Sequence, residues 1–240
     1  MKHLNFQVHG SIVSWGKPGG DEERPSYRIP SKSAILGLVA ASMGIKRTNQ
    51  EKQKKLNEGL KFAVAVESPG QEFTDYHTAL PPKKEEDFLT TRKEEISWGT
   101  GDAVVTQRNY RVDSLHTVSL WSPGEQEAPD LTELKESLLF PTFTPYLGRK
   151  SCPPGIPFIP KIIESGSLKG SFYQYWEMRH RSAVIRRLGD KEDIAIYWEG
   201  PHPEPGMEVE EKGERKDQPL NRPNWTFRKR SENKSTIERE

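Results

Sequence analysis

The sequence predicts an α+β chain: a ferredoxin-like (RRM-like) βαββαβ domain with an insertion in its central hairpin and a smaller β-rich C-terminal part. Three features carry this. Alternating apolar segments and segments of helical spacing follow one another in the order strand, helix, strand, strand, helix, loop, strand. N-capping residues open the helical segments. A chain of 240 residues is long enough to bury a core without covalent staples, and its single cysteine, Cys152, excludes an internal disulfide framework.

Lys2 to Val8 alternates polar and apolar residues, which predicts a strand over His3–His9 and not a leader peptide. Ser31-Lys32-Ser33 then precedes Ile35, Leu36, Leu38, Val39 and Met43 at helical spacing, with Gly44 as the C-terminal stop. Ala34, Gly37, Ala40 and Ala41 let this helix press closely on a neighbour. Thr48 with Glu51 reads as a capping box for a short polar helix that ends near Gly59. Lys61–Glu67, Val104–Val112 and Leu115–Trp121 read as strands, and Asp130 with Glu133 caps a helix through Leu139. Thr144 to Gly155 is too rich in Gly and Pro for regular structure, and Ile156–Ile163 follows as a strand. Ser68 to Asp102 is too long and charged for a hairpin turn and is expected to protrude. These elements assign residues 1–164 to the main domain. Residues 165–230 form a small β-rich region with strands at Ser182–Arg187 and Asp193–Trp198, and 231–240 a flexible tail.

The net charge of +1, from 36 basic and 35 acidic residues, gives no hint of a polyanionic partner, but the distribution is uneven. Pro141 to Ile163 carries only Arg149, Lys150 and Lys161, whereas Glu204 to Glu214 sets five glutamates against Lys212. This is either ordinary solvated surface or one anion-facing side. No run approaches the roughly 18 apolar residues of a membrane span. No membrane role is expected, and the lone cysteine fits a reducing, cytoplasmic setting.

Histidines 3, 9, 77, 116, 180 and 202 form no i,i+3 or i,i+4 pair, so no metal or other cofactor is expected, and neither a phosphate loop nor a nucleophile elbow is present. Cys152 beside Arg149 and Lys150 reads as a packing residue, with an activated thiol as the alternative. The chemistry that survives is metal-independent RNA cleavage, with His77, His116 and Tyr110 as its candidate residues. Nucleic-acid binding has better material. Tyr146-Leu147-Gly148-Arg149-Lys150-Ser151 supplies a stacking ring, a glycine that lets a phosphate approach the backbone, two cations and a hydroxyl in one loop. Ser31-Lys32-Ser33 reads either as a simple N-cap or as a helix N-terminus that presents free N–H groups to an anion. Arg108 and Tyr110 share one face of a predicted strand, with Arg111 on the other.

Several segments together resemble the CasD subunits of type I-E CRISPR Cascade complexes, members of the RAMP superfamily. They are Ser14-Trp15-Gly16, Arg24-Pro25, Pro30 to Gly44-Ile45, Asp75-Tyr76-His77-Thr78, Arg108 with Tyr110, Thr117 to Trp121, and Thr144 to Pro153. The resemblance spans roughly residues 10–155 and is weak over Pro81–Trp98 and beyond Ile163. It implies a thumb at about 76–111 and a non-catalytic, antiviral role in holding the 5′ handle of the CRISPR RNA (crRNA). The implied contacts are Tyr76, His77, Arg108 and Tyr110 with the Tyr146–Ser151 loop. It also implies, as partners, CasC-type backbone subunits, a large CasA-type subunit and, through the complex, target DNA. Processing of CRISPR repeat RNA remains the alternative; the one adjacent Lys-His pair, Lys2-His3, sits at the N-terminus.

Overall fold

Alternation along β1 (Lys2–Val13) separates two sets of side chains, and the fold buries both. Leu4, Phe6 and Val8 face one side and His3, Asn5, Gln7 and His9 the other, none more than 5% exposed. The computed structural model describes the chain except residues 18, 20–21, 81–90, 98–100, 125–127, 201–206, 222–223, 225 and 239–240. After β1 come the short strands β2 (Trp15–Gly16), β3 (Glu23–Arg24) and β4 (Ser26–Tyr27), then α1 (Lys32–Ser42) and α2 (Gln50–Gly59). A long hairpin follows, β5 (Lys61–Ala79) and β6 (Val104–Trp121), with α3 (Arg92–Ser97) between its strands. Next are α4 (Leu131–Leu139), β7 (Lys161–Glu164), α5 (Leu168–Met178), α6 (Ala183–Leu188), β8 (Asp193–Glu199), β9 (Glu211–Asn221) and β10 (Thr226–Glu238).

The main sheet runs β7-β1-β6-β5-β8-β10-β9, with β3 added parallel to β6. Its first four strands give the antiparallel order expected of a ferredoxin-like unit. Ser31 caps α1, Asp130 caps α4, and Gly44 follows α1 at φ +69°, each as its residue type predicts. The cap of α2 is Asn49 and not Thr48, its side chain accepting from Lys52 N at 3.1 Å.

Helices were expected on one face only. α1 and α4 cover the face of Leu4, Phe6, Val118 and Leu120, but α5 covers the other. There Phe172, Tyr175 and Trp176 pack with Ala63, Ala65, Ile196 and Trp198, and Asn5 Nδ2 donates to Ser171 O at 2.8 Å. The second core thus joins β5 of the main unit to elements after residue 165, within one continuous sheet.

Four further expectations are corrected. The two strands expected over Val104–Trp121 are one, bent at Asp113 (φ +56°). Of the expected strand Ile156–Ile163 only the last three residues join the ladder, as the start of β7, because Pro157 and Pro160 remove donors. Ser182–Arg187 is not a strand: Ser182 caps the helix Ala183–Leu188, a run too short for periodicity to distinguish. The expected tail is mostly β10, pairing with both β8 and β9. Its inward residues Asn233, Ser235 and Ile237 are buried but largely polar, which hid the strand from a hydropathy pattern.

Candidate nucleic-acid interface

The loop after α4 folds back on the end of β1. Ser14 N donates to Leu147 O (3.1 Å), Leu147 N to Cys152 O (2.7 Å), Cys152 N to Arg149 O (2.9 Å) and Gly155 N to His9 O (2.8 Å). Leu147 and Cys152 are buried beneath it. Gly148 adopts φ +87°, and a Cβ there would sit 1.6 Å from Ser14 O. The glycine is therefore required by loop–strand packing, whereas the sequence motif suggested room for a phosphate. Burial pushes the Cys152 thiol pKa up, against the activated-thiol alternative.

With its apolar residues tucked in, the loop presents Tyr146, Lys150 and Ser151 to solvent. The Arg149 guanidinium lies 4.5 Å from the Tyr110 ring centroid, and its Nη2 donates to Arg24 O at 2.9 Å. Arg24 pairs in register with Arg108 across β3 and β6. Arg149 thus joins the strand pair that carries Arg24 and Arg108, beside the buried Tyr110. Arg108 Nε and Arg149 Nη1 are sequestered without an acceptor. A buried donor left unmet costs about 1–3 kcal/mol, which an anion arriving here would relieve.

Beside this cluster runs a groove of about 680 Å³. Its floor is the small-residue face of α1 (Ala34, Gly37, Ala41), and its walls include Ser31, Ser33, Tyr146 and Gly148. The fold thereby brings together the two motifs singled out in the sequence. Lys17, Lys216 and Phe227 also line it; the last two come from β9 and β10, where no sequence signal pointed to a site.

Lys32 is corrected out of the site. Its side chain is buried, donating to Leu60 O at 2.9 Å and Glu199 Oε1 at 2.7 Å. Burial pulls its pKa down while Glu199 pushes it back. The α1 N-terminus is likewise answered internally: Lys32 N donates to Asp217 Oδ2 at 2.8 Å, and Ala34 N to Ser31 Oγ at 3.1 Å. Asp217 also holds Arg230 at 2.6 Å, so its charge is met within the protein although it borders the groove.

Tyr76 and His77 lie away from the groove, on the far part of the β5–β6 hairpin, opposite Gln107 and Thr106. Tyr76 is 64% exposed, and His77 Nε2 pairs with Asp75. The far part of the hairpin falls within the expected thumb, of which residues 81–90 and 98–100 lie outside the described residues. His116 is fully buried, with its pKa lowered to about 3 chiefly by burial. Its strand position is ten residues from the partner of His77, roughly 30 Å at strand rise, so the two cannot act on one phosphate. Among the described residues, no group of three or more His, Cys, Asp or Glu side chains can hold a metal.

The family model for a CRISPR-associated protein, Cas5, matches residues 3–231. The chain belongs to the Cas5 family of CRISPR-associated proteins. Among curated relatives it is similar to the CRISPR system Cascade subunit CasD of Escherichia coli (strain K12), 32% identical over 159 residues, which cover 63% of this chain and 66% of that protein, just under two thirds. A chain of a CRISPR RNA-guided surveillance complex shares the fold at TM-score 0.65 and 20% identity, covering 99% of this chain and 90% of that one. A crystal structure of a Cas protein does so at TM-score 0.65 and 22% identity, covering 99% and 95%. The α+β fold read from the sequence is thus a Cas5 fold. No helix among the described residues is long and apolar enough to cross a membrane.

Proposed function

We propose that this Cas5 chain is a non-catalytic subunit of a type I-E Cascade that holds the repeat-derived 5′ handle of the crRNA. The handle lies in the groove between α1 and the 140–155 loop, and the chain contacts CasC-type backbone subunits and a large CasA-type subunit. The observation that carries this reading is the approach of Arg149 to the strand pair that carries Arg24 and Arg108, with two sequestered donors of Arg108 and Arg149 unmet, beside a groove bordered by Tyr146 and Phe227. Cations track the phosphates and aromatic rings offer stacking, as single-stranded RNA requires. The family membership and the CasD relative support the setting.

The test is a titration of end-labelled handle RNA in EDTA across a salt series, with a scrambled handle as control. Arg149→Ala is expected to weaken handle binding and to flatten the log–log salt slope by about 0.7 for the lost phosphate contact. Equal retention of scrambled RNA, or an unchanged slope, defeats the assignment of the loop. Specific cutting in EDTA would make the chain a processing nuclease.

A further inference from the structure

Gln53 and Asn57 stand one turn apart on the same face of α2, at 7% and 5% exposure. Gln53 Oε1 and Asn57 Oδ1 are buried without a hydrogen-bond donor. Both border a cavity of about 190 Å³ between α2 and the end of the β9–β10 hairpin. Gln218 Nε2 donates to Asn57 O at 3.0 Å and fixes that hairpin against the helix. Arg47, Lys54 and Arg228 line the cavity against a single carboxylate, Glu58, which lies 3.9 Å from Lys54. Leu220, 59% exposed, supplies an apolar wall. Pockets for drug-sized ligands run roughly 300–1,000 Å³, so this one suits a single flat ring system whose charged substituent stays at the rim.

The chemistry is specific. Two buried amide oxygens ask for N–H donors, and the exposed Lys54 and Arg228 at the rim suit an anion. A nucleotide offers both on one molecule. An amide side chain pairs with adenine by accepting from its exocyclic amino group while donating to the adjacent ring nitrogen. Placement adds a second argument. Phe227 borders the α1 groove and its neighbour Arg228 this cavity. Described residues of β9 and β10 thus wall both sites.

We propose that the α2–hairpin cavity is a second nucleotide subsite, which takes a base with an exocyclic amino group, adenine foremost, and sets its phosphate on the rim cations. Its place as the second rests on the handle-binding reading; the subsite itself does not.

The test titrates the full chain with AMP by calorimetry, with purine riboside 5′-monophosphate, which lacks the amino group, as comparator. Saturable AMP binding is expected, weaker by about tenfold or more for the comparator and for Gln53→Leu or Asn57→Leu, and unchanged in Arg149→Ala. The apolar replacements remove an orphaned acceptor, so their melting temperatures should not fall. Should they unfold, the exposed Arg228→Ala decides, with weakened AMP binding expected. No binding at millimolar AMP overturns the proposal, as does equal affinity for the comparator, or binding lost in Arg149→Ala but retained in Gln53→Leu, which places AMP in the α1 groove. AMP bound through the amides by a chain that ignores handle RNA would leave the subsite standing and the handle assignment fallen.

Discussion

Removing the Arg179 charge should unlatch the C-terminal end of α5 from β5 and β6 of the sheet. A register shift between Val66 and Ser68 in β5 leaves Glu67 out of the ladder, and Glu67 is fully buried. Arg179, at the end of α5, meets it through both terminal nitrogens, with Nη1 2.8 Å from Oε1. Thr117 Oγ1 donates to the same carboxylate at 2.7 Å and accepts from Trp176 Nε1 at 3.0 Å. Both charged side chains are 0% exposed. Arg179→Met leaves the carboxylate buried beside a thioether, and an uncompensated buried charge costs about 3–5 kcal/mol. At about 2–4 °C per kcal/mol for a chain of this size, the melting temperature should fall by roughly 6–20 °C. Glu67→Leu combined with Arg179→Met removes both charges and should recover most of that loss. Urea unfolding of the wild type, both single variants and the double variant measures the coupling directly. A loss below about 1 kcal/mol in Arg179→Met, or a double variant no more stable than that single one, would refute the latch.

Gly148→Ala should destabilise by about 2–4 kcal/mol, from a left-handed backbone angle and a Cβ forced against Ser14 O, and should weaken handle binding by displacing the loop; a variant that melts with the wild type contradicts the packing account. Lys32→Met leaves Glu199 without the ammonium it faces at 2.7 Å. It should lower the urea midpoint while the RNA salt slope stays unchanged, and a shallower slope would return Lys32 to the interface. His116 has a folded pKa of about 3 against 6.5 when unfolded, so its contribution is full above pH 6.5 and is lost as pH falls from there toward 3. Between pH 7 and 5 this should cost about 2 kcal/mol that His116→Leu does not lose, and identical pH dependence in both proteins would remove His116 as the cause.

Local chemistry determined much of this protein from the sequence. Capping residues placed α1 and α4, alternation placed β1 and the first part of β5, and their order gave the βαββαβ unit with its strand arrangement. These signals are legible because each depends on neighbours within a few residues. The 144–155 loop and Ser31–Ser33 were singled out by residue type in the same way, and the fold sets both against one groove. Tertiary structure decided the rest. Lys32 looks like a free cation beside two serines, yet Glu199, from a strand far along the chain, makes it a buried ion pair. Gly148 looks like a glycine for a ligand and is a glycine for Ser14. β10 looks like a tail because its inward residues are polar, and burial becomes favourable only once β8 and β9 flank it. A side chain's identity fixes what it can bond, but which partner reaches it depends on strands that meet only after the sheet has closed.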